Sequence, residues 1–144
     1  MNYRDSVNGD GHTYSLRVFY EDTDAAGIVY YANYLKYLER ARTEMLRAVG
    51  ITHSNLFAEY TIVFVVRRCV LDYRKPARLD DLLIVHTHIV SMRGASIDLT
   101  QNVICGEDIL VEAELRLACV TNDEMPARIP KKLRDTITIL QAKK

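Results

Sequence analysis

Apolar and polar positions alternate with a period of two over Ser15–Tyr20, where Leu16, Val18 and Tyr20 oppose Arg17, and this predicts a short strand. From Asn33 to Val49 the period changes. Tyr34, Leu38, Ala41, Met45 and Ala48 recur at steps of three and four, the stripe of an amphipathic helix, with Lys36, Glu39, Arg40 and Arg47 mostly on its other faces. Such a helix is a rod of about 25 Å. Asn33 is placed as its N-cap and Gly50 as the residue past its end.

Beyond the helix the pattern is strand throughout. Thr61–Tyr73 is one long β-rich run, followed by a connection marked by Pro76, Ala77 and Asp80-Asp81. Leu82–Val90 and Ser96–Ile104 flank Ser91-Met-Arg-Gly-Ala95, whose Gly94 permits a hairpin turn. Cys105-Gly-Glu-Asp108 makes a second turn into Leu110–Thr121, where Ala113, Leu115, Leu117 and Cys119 oppose Glu112, Glu114 and Arg116. Alternation of this kind belongs to an antiparallel sheet with one covered face. His53, just after the helix, is placed in a loop, and Pro126 and Pro130 end the regular structure.

The predicted class is therefore α+β: a strand, one long helix, then four strands in a meander. One helix covers little more than one face of a five-stranded antiparallel sheet. Burial favours a sheet wrapped around it, with the sheet edge used for self-association. The division is a flexible N-terminus over residues 1–12, one domain over 13–130, and a basic C-terminal tail over 131–144.

Charge balances, with 19 basic and 19 acidic side chains in 144 residues, so no net field recruits nucleic acid or acidic membrane. Hydrophobic content of 49% argues against disorder. Cys69, Cys105 and Cys119 are widely spaced in apolar runs without zinc spacing, and read as reduced core thiols. Met1–His12 is polar, without the apolar centre of a signal peptide. The expected location is cytoplasmic.

The densest chemistry lies in Tyr20-Glu-Asp-Thr-Asp-Ala-Ala-Gly-Ile-Val-Tyr-Tyr-Ala-Asn-Tyr34. Asp22 and Asp24 sit in a small-residue turn directly before the helix. Free N–H groups at a helix start can hold a developing oxyanion while a carboxylate attacks a carbonyl or activates water. An aspartate before a helix is also an ordinary cap or turn former, and spacing alone leaves both roles open.

This segment, with Leu35-x-x-Leu-Glu-Arg-x-Arg-x-Glu44, Asp72-Tyr-Arg-Lys-Pro-Ala-Arg-Leu-Asp-Asp81 and Ser91-x-Arg-x-Ala-Ser-Ile-x-Leu-x-Gln101, resembles the hotdog-fold acyl-CoA thioesterases of the 4-hydroxybenzoyl-CoA thioesterase family. It is most similar to the YbgC-type branch associated with the bacterial Tol-Pal system. The resemblance spans about residues 15 to 121, and the strand–helix–four-strand order agrees with it independently. It implies Asp24 as catalytic nucleophile or general base, and Tyr31 as the residue whose backbone N–H polarises the thioester carbonyl. It further implies Gly27 as the residue keeping the loop close to substrate. No cofactor is implied beyond the coenzyme A of the substrate. The implied assembly is a dimer with sheets joined edge to edge, often paired into a homotetramer, with the site at the subunit boundary. Loose association with the membrane or with lipid-synthesis proteins is a further implied partnership. That branch usually carries His where this chain has Tyr31, so a His-assisted mechanism has no residue there.

Glu39 is the rival base, because a second group of hotdog thioesterases uses a helix Glu eight residues after its oxyanion residue. An ion pair with Arg42 is its simpler role. Asp22 reads as a loop hydrogen-bonding group. His86 and His88 share a strand face, without an evident third metal ligand. Arg67-Arg68, Arg74-Lys75, Arg78, Arg93 and Lys131-Lys132 are positive spots for coenzyme A phosphates, of which Arg93 in its hairpin turn is the one named. The main reading is thioester hydrolysis without metal. The alternatives are a catalytically silent acyl-CoA-binding or Tol-Pal-linked protein, and a hotdog hydratase, which needs a His that this motif lacks.

Overall fold

Alternation in the last strand shows most directly how the core is built. In the computed structural model, which describes residues 6–8 and 11–141, Ala113, Leu115, Leu117 and Cys119 are all buried on the inner face of β6 (Asp108–Thr121). β4 (Leu82–Met92) and β5 (Ser96–Cys105) alternate in the same way and bury Leu83, Val85, Ile89, Ile97, Leu99 and Val103. α1 (Asn33–Ala48) answers with Tyr34, Tyr37, Leu38, Ala41, Met45 and Leu46. Each Val, Leu, Ile or Met among these side chains contributes about 1.5–3 kcal/mol by leaving water. Ala48, expected in the stripe, faces solvent at the last turn.

The sheet is antiparallel throughout, in the order β1-β2-β4-β5-β6-β3. It comprises the five strands that the sequence predicts and a three-residue β1 (Ser6–Asn8) paired to the start of β2 (Gly11–Arg17). The sheet lies around α1 in the hotdog arrangement. The meander needs correction. Only β4, β5 and β6 follow one another; β3 (Ile62–Tyr73) pairs with β6 at the far edge, and β2 pairs with β4. The connection at 74–81 therefore crosses the sheet's end instead of turning a hairpin. The first predicted strand also lies earlier than Ser15–Tyr20, because Tyr20–Asp22 winds into a 3₁₀ turn.

Helix α1 ends as Gly50 predicts. Its φ is 83°, Gly50 N–H donates to Arg47 O and Ile51 N–H to Leu46 O, the reciprocal pair that a left-handed residue permits. His53 is not in a loop. It opens α2 (His53–Tyr60), which is capped by Thr52 Oγ1 accepting from Asn55 N–H. The supposed tail forms α3 (Lys131–Thr138), which buries Leu133 and Ile137, with Leu140 just beyond it. Of the predicted flexible N-terminus, 6–8 and 11–12 lie in strands, while 1–5 and 9–10 are outside the described residues, as are 142–144.

Candidate active site

The loop between β2 and α1 is built in two closures. In the first, Phe19 N–H donates to Asp22 Oδ2 at 2.9 Å, which closes the 3₁₀ turn. In the second, Asp24 N–H donates to Ile28 O at 2.9 Å and Gly27 N–H to Asp24 O at 3.0 Å. This is a three-residue hairpin loop, whose last position requires a left-handed backbone; Gly27 supplies it with φ 77°. A Cβ on Gly27 would meet nothing within 4 Å, so conformation and not crowding within the chain selects glycine. Asp24 Oδ1 accepts from Ala26 N–H at 2.8 Å, which orients the exposed carboxylate and leaves its Oδ2 without a partner among the described residues.

Asp22 has the supporting role that its position predicts. Its carbonyl accepts both Tyr30 N–H (3.0 Å) and the Asn33 Nδ2 amide (2.8 Å). The Tyr37 hydroxyl is buried beside it, and burial together with the Asp22 charge holds that phenol neutral, well above its usual range.

The first turn of α1 is wound tightly. Asn33, Tyr34 and Leu35 N–H donate to the carbonyls of Tyr30, Tyr31 and Ala32. The amides of Tyr31 and Ala32 then have no acceptor among the described residues. These are free donors at the positive end of the helix dipole. The N-cap is Ala32, without a side-chain cap, so Asn33 is not the capping residue; its amide reaches back to the loop. The Tyr31 ring is 61% exposed and rests against Tyr30 and Tyr73.

Beside this helix start lies a cavity of about 290 Å³, lined by the rings of Tyr31, Tyr34 and Tyr73, with Ile28, Val29 and Pro76, and by Arg74 and Lys75. Both cations already have partners, Arg74 in Glu112 at 3.0 Å and Lys75 in Asp108 at 3.1 Å. Tyr73 and Pro76 belong to this site although sequence reading did not single them out. Their signal was proximity to the connection at 74–81, which returns to the loop through Val29 N–H to Ala77 O (2.9 Å) and an Ile28–Arg78 bridge.

Asp24, Gly27 and Tyr31 thus share one junction. Glu39 does not join them. Eight residues on, about 12 Å along the helix, it opens on a separate cavity of about 170 Å³ with Arg42, Thr43 and His53. The expected Glu39–Arg42 ion pair is absent among the described residues. Glu39 Oε1 accepts from Thr43 Oγ1 at 3.0 Å, and Thr43 Oγ1 in turn lies 3.2 Å from His53 Nε2. The Arg42 guanidinium donates instead to the side chain of buried Gln101 at 3.0 Å, and desolvation lowers its pKa.

Arg93 is also apart. The eleven residues of β4 put it about 33 Å from the Asp24 end of the same chain. Its guanidinium lies 3.6 Å from Asp98, whose carboxylate is held by Arg116 at 2.7 and 3.3 Å. The Arg116 hydrogen bonds hold Asp98 below the usual carboxylate range. A depressed pKa gives stability present above the unfolded value, about 3.9, and lost as pH falls through the folded one. The difference in melting temperature between wild type and Asp98→Asn should therefore stay constant above about pH 5 and close below about pH 4. The His86 and His88 rings touch at a 50° tilt with centroids 4.1 Å apart, and no group of three metal-binding side chains forms among the described residues. The three cysteines are free thiols, with pKa raised by burial.

Residues 18–137, which include this junction and four of the six strands, β3 to β6, match the family model described as thioesterase-like superfamily. The chain belongs to that superfamily. It is 48% identical over 120 residues to the acyl-CoA thioester hydrolase YbgC of Escherichia coli O6:H1, covering 82% of this chain and 89% of that one. Against the acyl-CoA thioesterase YbgC of Haemophilus influenzae identity is 41%, covering 87% and 93%. A crystal structure of a probable thioesterase from Bartonella henselae superposes with TM-score 0.80 at 35% identity, covering 83% and 99%. The hotdog resemblance drawn from the motifs is thus met by family and by fold. As a thioester hydrolase, the chain needs a carbonyl-polarising group and a base or nucleophile. The junction between loop and helix holds candidates for both.

Proposed function

We propose that this chain hydrolyses an acyl-CoA thioester to a free acid and coenzyme A, with Asp24 as base or nucleophile and the Tyr31 amide as oxyanion donor. The observation that carries the reading is the pair of unpartnered amides, Tyr31 and Ala32, at a helix start reached through the same short loop that presents Asp24. Donors fixed in advance need no reorganisation as charge develops on the carbonyl oxygen. The tyrosine-lined cavity suits the apolar part of an acyl thioester.

A dimer is part of this reading. β3 forms a twelve-residue sheet edge, with Val65, Val66 and Val70 partly exposed. Antiparallel pairing of two such edges about a two-fold axis reverses the second chain. The Arg93 turn of the partner then approaches the Asp24 end of the first, where coenzyme A phosphates leave an extended pantetheine. That relation makes sense of an Arg93 too distant to serve its own Asp24. Light scattering should give at least twice the 16.5 kDa chain mass; a monomer that keeps full activity would contradict the shared site.

The test of function is thiol release over an acyl-CoA panel of aliphatic and aromatic thioesters. Turnover of at least one thioester is expected, and Glu39→Gln should stay within about tenfold of wild type, as an exposed group outside the junction. Loss of a thousandfold in Glu39→Gln would transfer the base to the helix. Tight acyl-CoA binding with no turnover would favour a silent binding protein.

A further inference from the structure

The Asp24 carboxylate bonds only within its own loop, so other groups hold that loop against the helix start. The loop has two arms. Its entry arm ends at Asp22, whose carbonyl accepts the Asn33 Nδ2 amide at 2.8 Å. Its exit arm ends at Val29, which is buried and donates N–H to Ala77 O. The same Ala77, fully buried, donates its own N–H to the Tyr34 hydroxyl oxygen at 3.0 Å. One residue, through the two peptide groups that flank its Cα, therefore relays the exit arm to α1.

Asn33 and Tyr34 are the first two residues of α1, and the free amides of Tyr31 and Ala32 immediately precede them. We propose that Asn33 and Tyr34 are a two-point clamp that sets the Asp24 loop against the helix start, each acting as a positioning residue. This rests on the reading of Asp24 as the reacting carboxylate. Asn33 holds the arm before Asp24 and Tyr34, through Ala77, the arm after it. Tyr34 is 3% exposed, its ring fenced by Tyr37 at 5.9 Å and Tyr73 at 5.6 Å, so its hydroxyl has little freedom to move. Directional bonds of this kind fix a separation that apolar packing alone leaves loose. A shift of about 1 Å at a reacting centre is enough to cost about a hundredfold in rate.

The test uses the full chain and thiol release from the acyl-CoA that wild type turns over fastest. Tyr34→Phe keeps the ring and removes only the acceptor; Asn33→Ala removes the other bond. Each should lower kcat about ten- to a hundredfold with KM moved less than about threefold. The melting temperature of each variant shows that the assay samples folded protein, and trimethylamine oxide should not restore the rate. In an Asp24→Asn background Tyr34→Phe should add no further loss, because the clamp acts through Asp24. The clamp is overturned by kcat within twofold of wild type in Tyr34→Phe, by recovery in the osmolyte, or by losses that multiply with Asp24→Asn. Full activity of Asp24→Asn removes both readings, whereas an inactive Asp24→Asn beside a fully active Tyr34→Phe removes the clamp alone.

Discussion

Asp24→Asn is expected to lower kcat for thioester hydrolysis about a thousandfold, within the range usual for a general base or nucleophile, while KM changes by no more than a few-fold. Asparagine retains the side-chain oxygen that accepts from Ala26 N–H, so the turn keeps its shape. The left-handed Gly27, the Asp24 N–H bond to Ile28 O and the Val29 N–H bond to Ala77 O also remain. What disappears is the anionic charge and the basicity of the free Oδ2. Donors at the helix start persist, and residual catalysis from oxyanion stabilisation alone should survive. Steady-state thiol release measures this directly. A loss below tenfold would remove Asp24 from the chemistry.

Gln101→Leu should destabilise the chain by about 3 kcal/mol, the largest effect expected on stability from a single volume-conserving change. Gln101 is fully buried and uses its whole carboxamide. Nε2 donates to Leu38 O and to Thr87 Oγ1, both at 3.0 Å, and Oε1 accepts from Arg42. The network joins α1 to β4 and β5 at the centre of the core. Leucine fills the space but strands a half-buried guanidinium and a buried hydroxyl, and such orphaned groups cost far more than the net worth of their bonds. At roughly 2–4 °C per kcal/mol for a chain of this size, the midpoint should fall by about 10 °C in thermal unfolding. Exposed Lys131→Ala, which breaks only the pair with Asp135, should move it by about 1 °C or less. A Gln101→Leu midpoint within 2 °C of wild type would show that the network adds little.

The contrast between these sites explains what the sequence disclosed. α1 and β6 were legible because their apolar stripes are local and repeat many times. The junction was legible because Asp24, Gly27 and Tyr31 lie within eight positions, and the turn chemistry of Gly27 acts over three. Strand order was not. An edge strand and a central strand can carry the same alternation, and β3 pairs with β6 through contacts between residues as distant as Ile62 and Thr121. α2 buries only Leu56, too little for a visible stripe. In α3 and just past its end the buried residues Leu133, Ile137 and Leu140 do follow helical spacing, but the surrounding Lys131, Lys132 and Arg134 obscure it. Asn33 has the local look of a cap because nothing in its neighbours reveals where the Asp22 carbonyl goes. The Ala77 bond to Tyr34 spans 43 positions and cannot be seen before the sheet is closed.

The proposed reaction puts the thioester carbonyl at the free amides of Tyr31 and Ala32 beside Asp24. Asp24→Asn makes the bound substrate long-lived enough to examine. An acyl-CoA labelled with carbon-13 at its carbonyl, bound to that variant, can be followed by isotope-difference infrared spectroscopy. Hydrogen bonds from the helix start should shift the carbonyl stretch below its value for the same thioester free in water. A bound carbonyl that absorbs at or above the aqueous frequency would contradict the oxyanion assignment, whatever the activity of the variant.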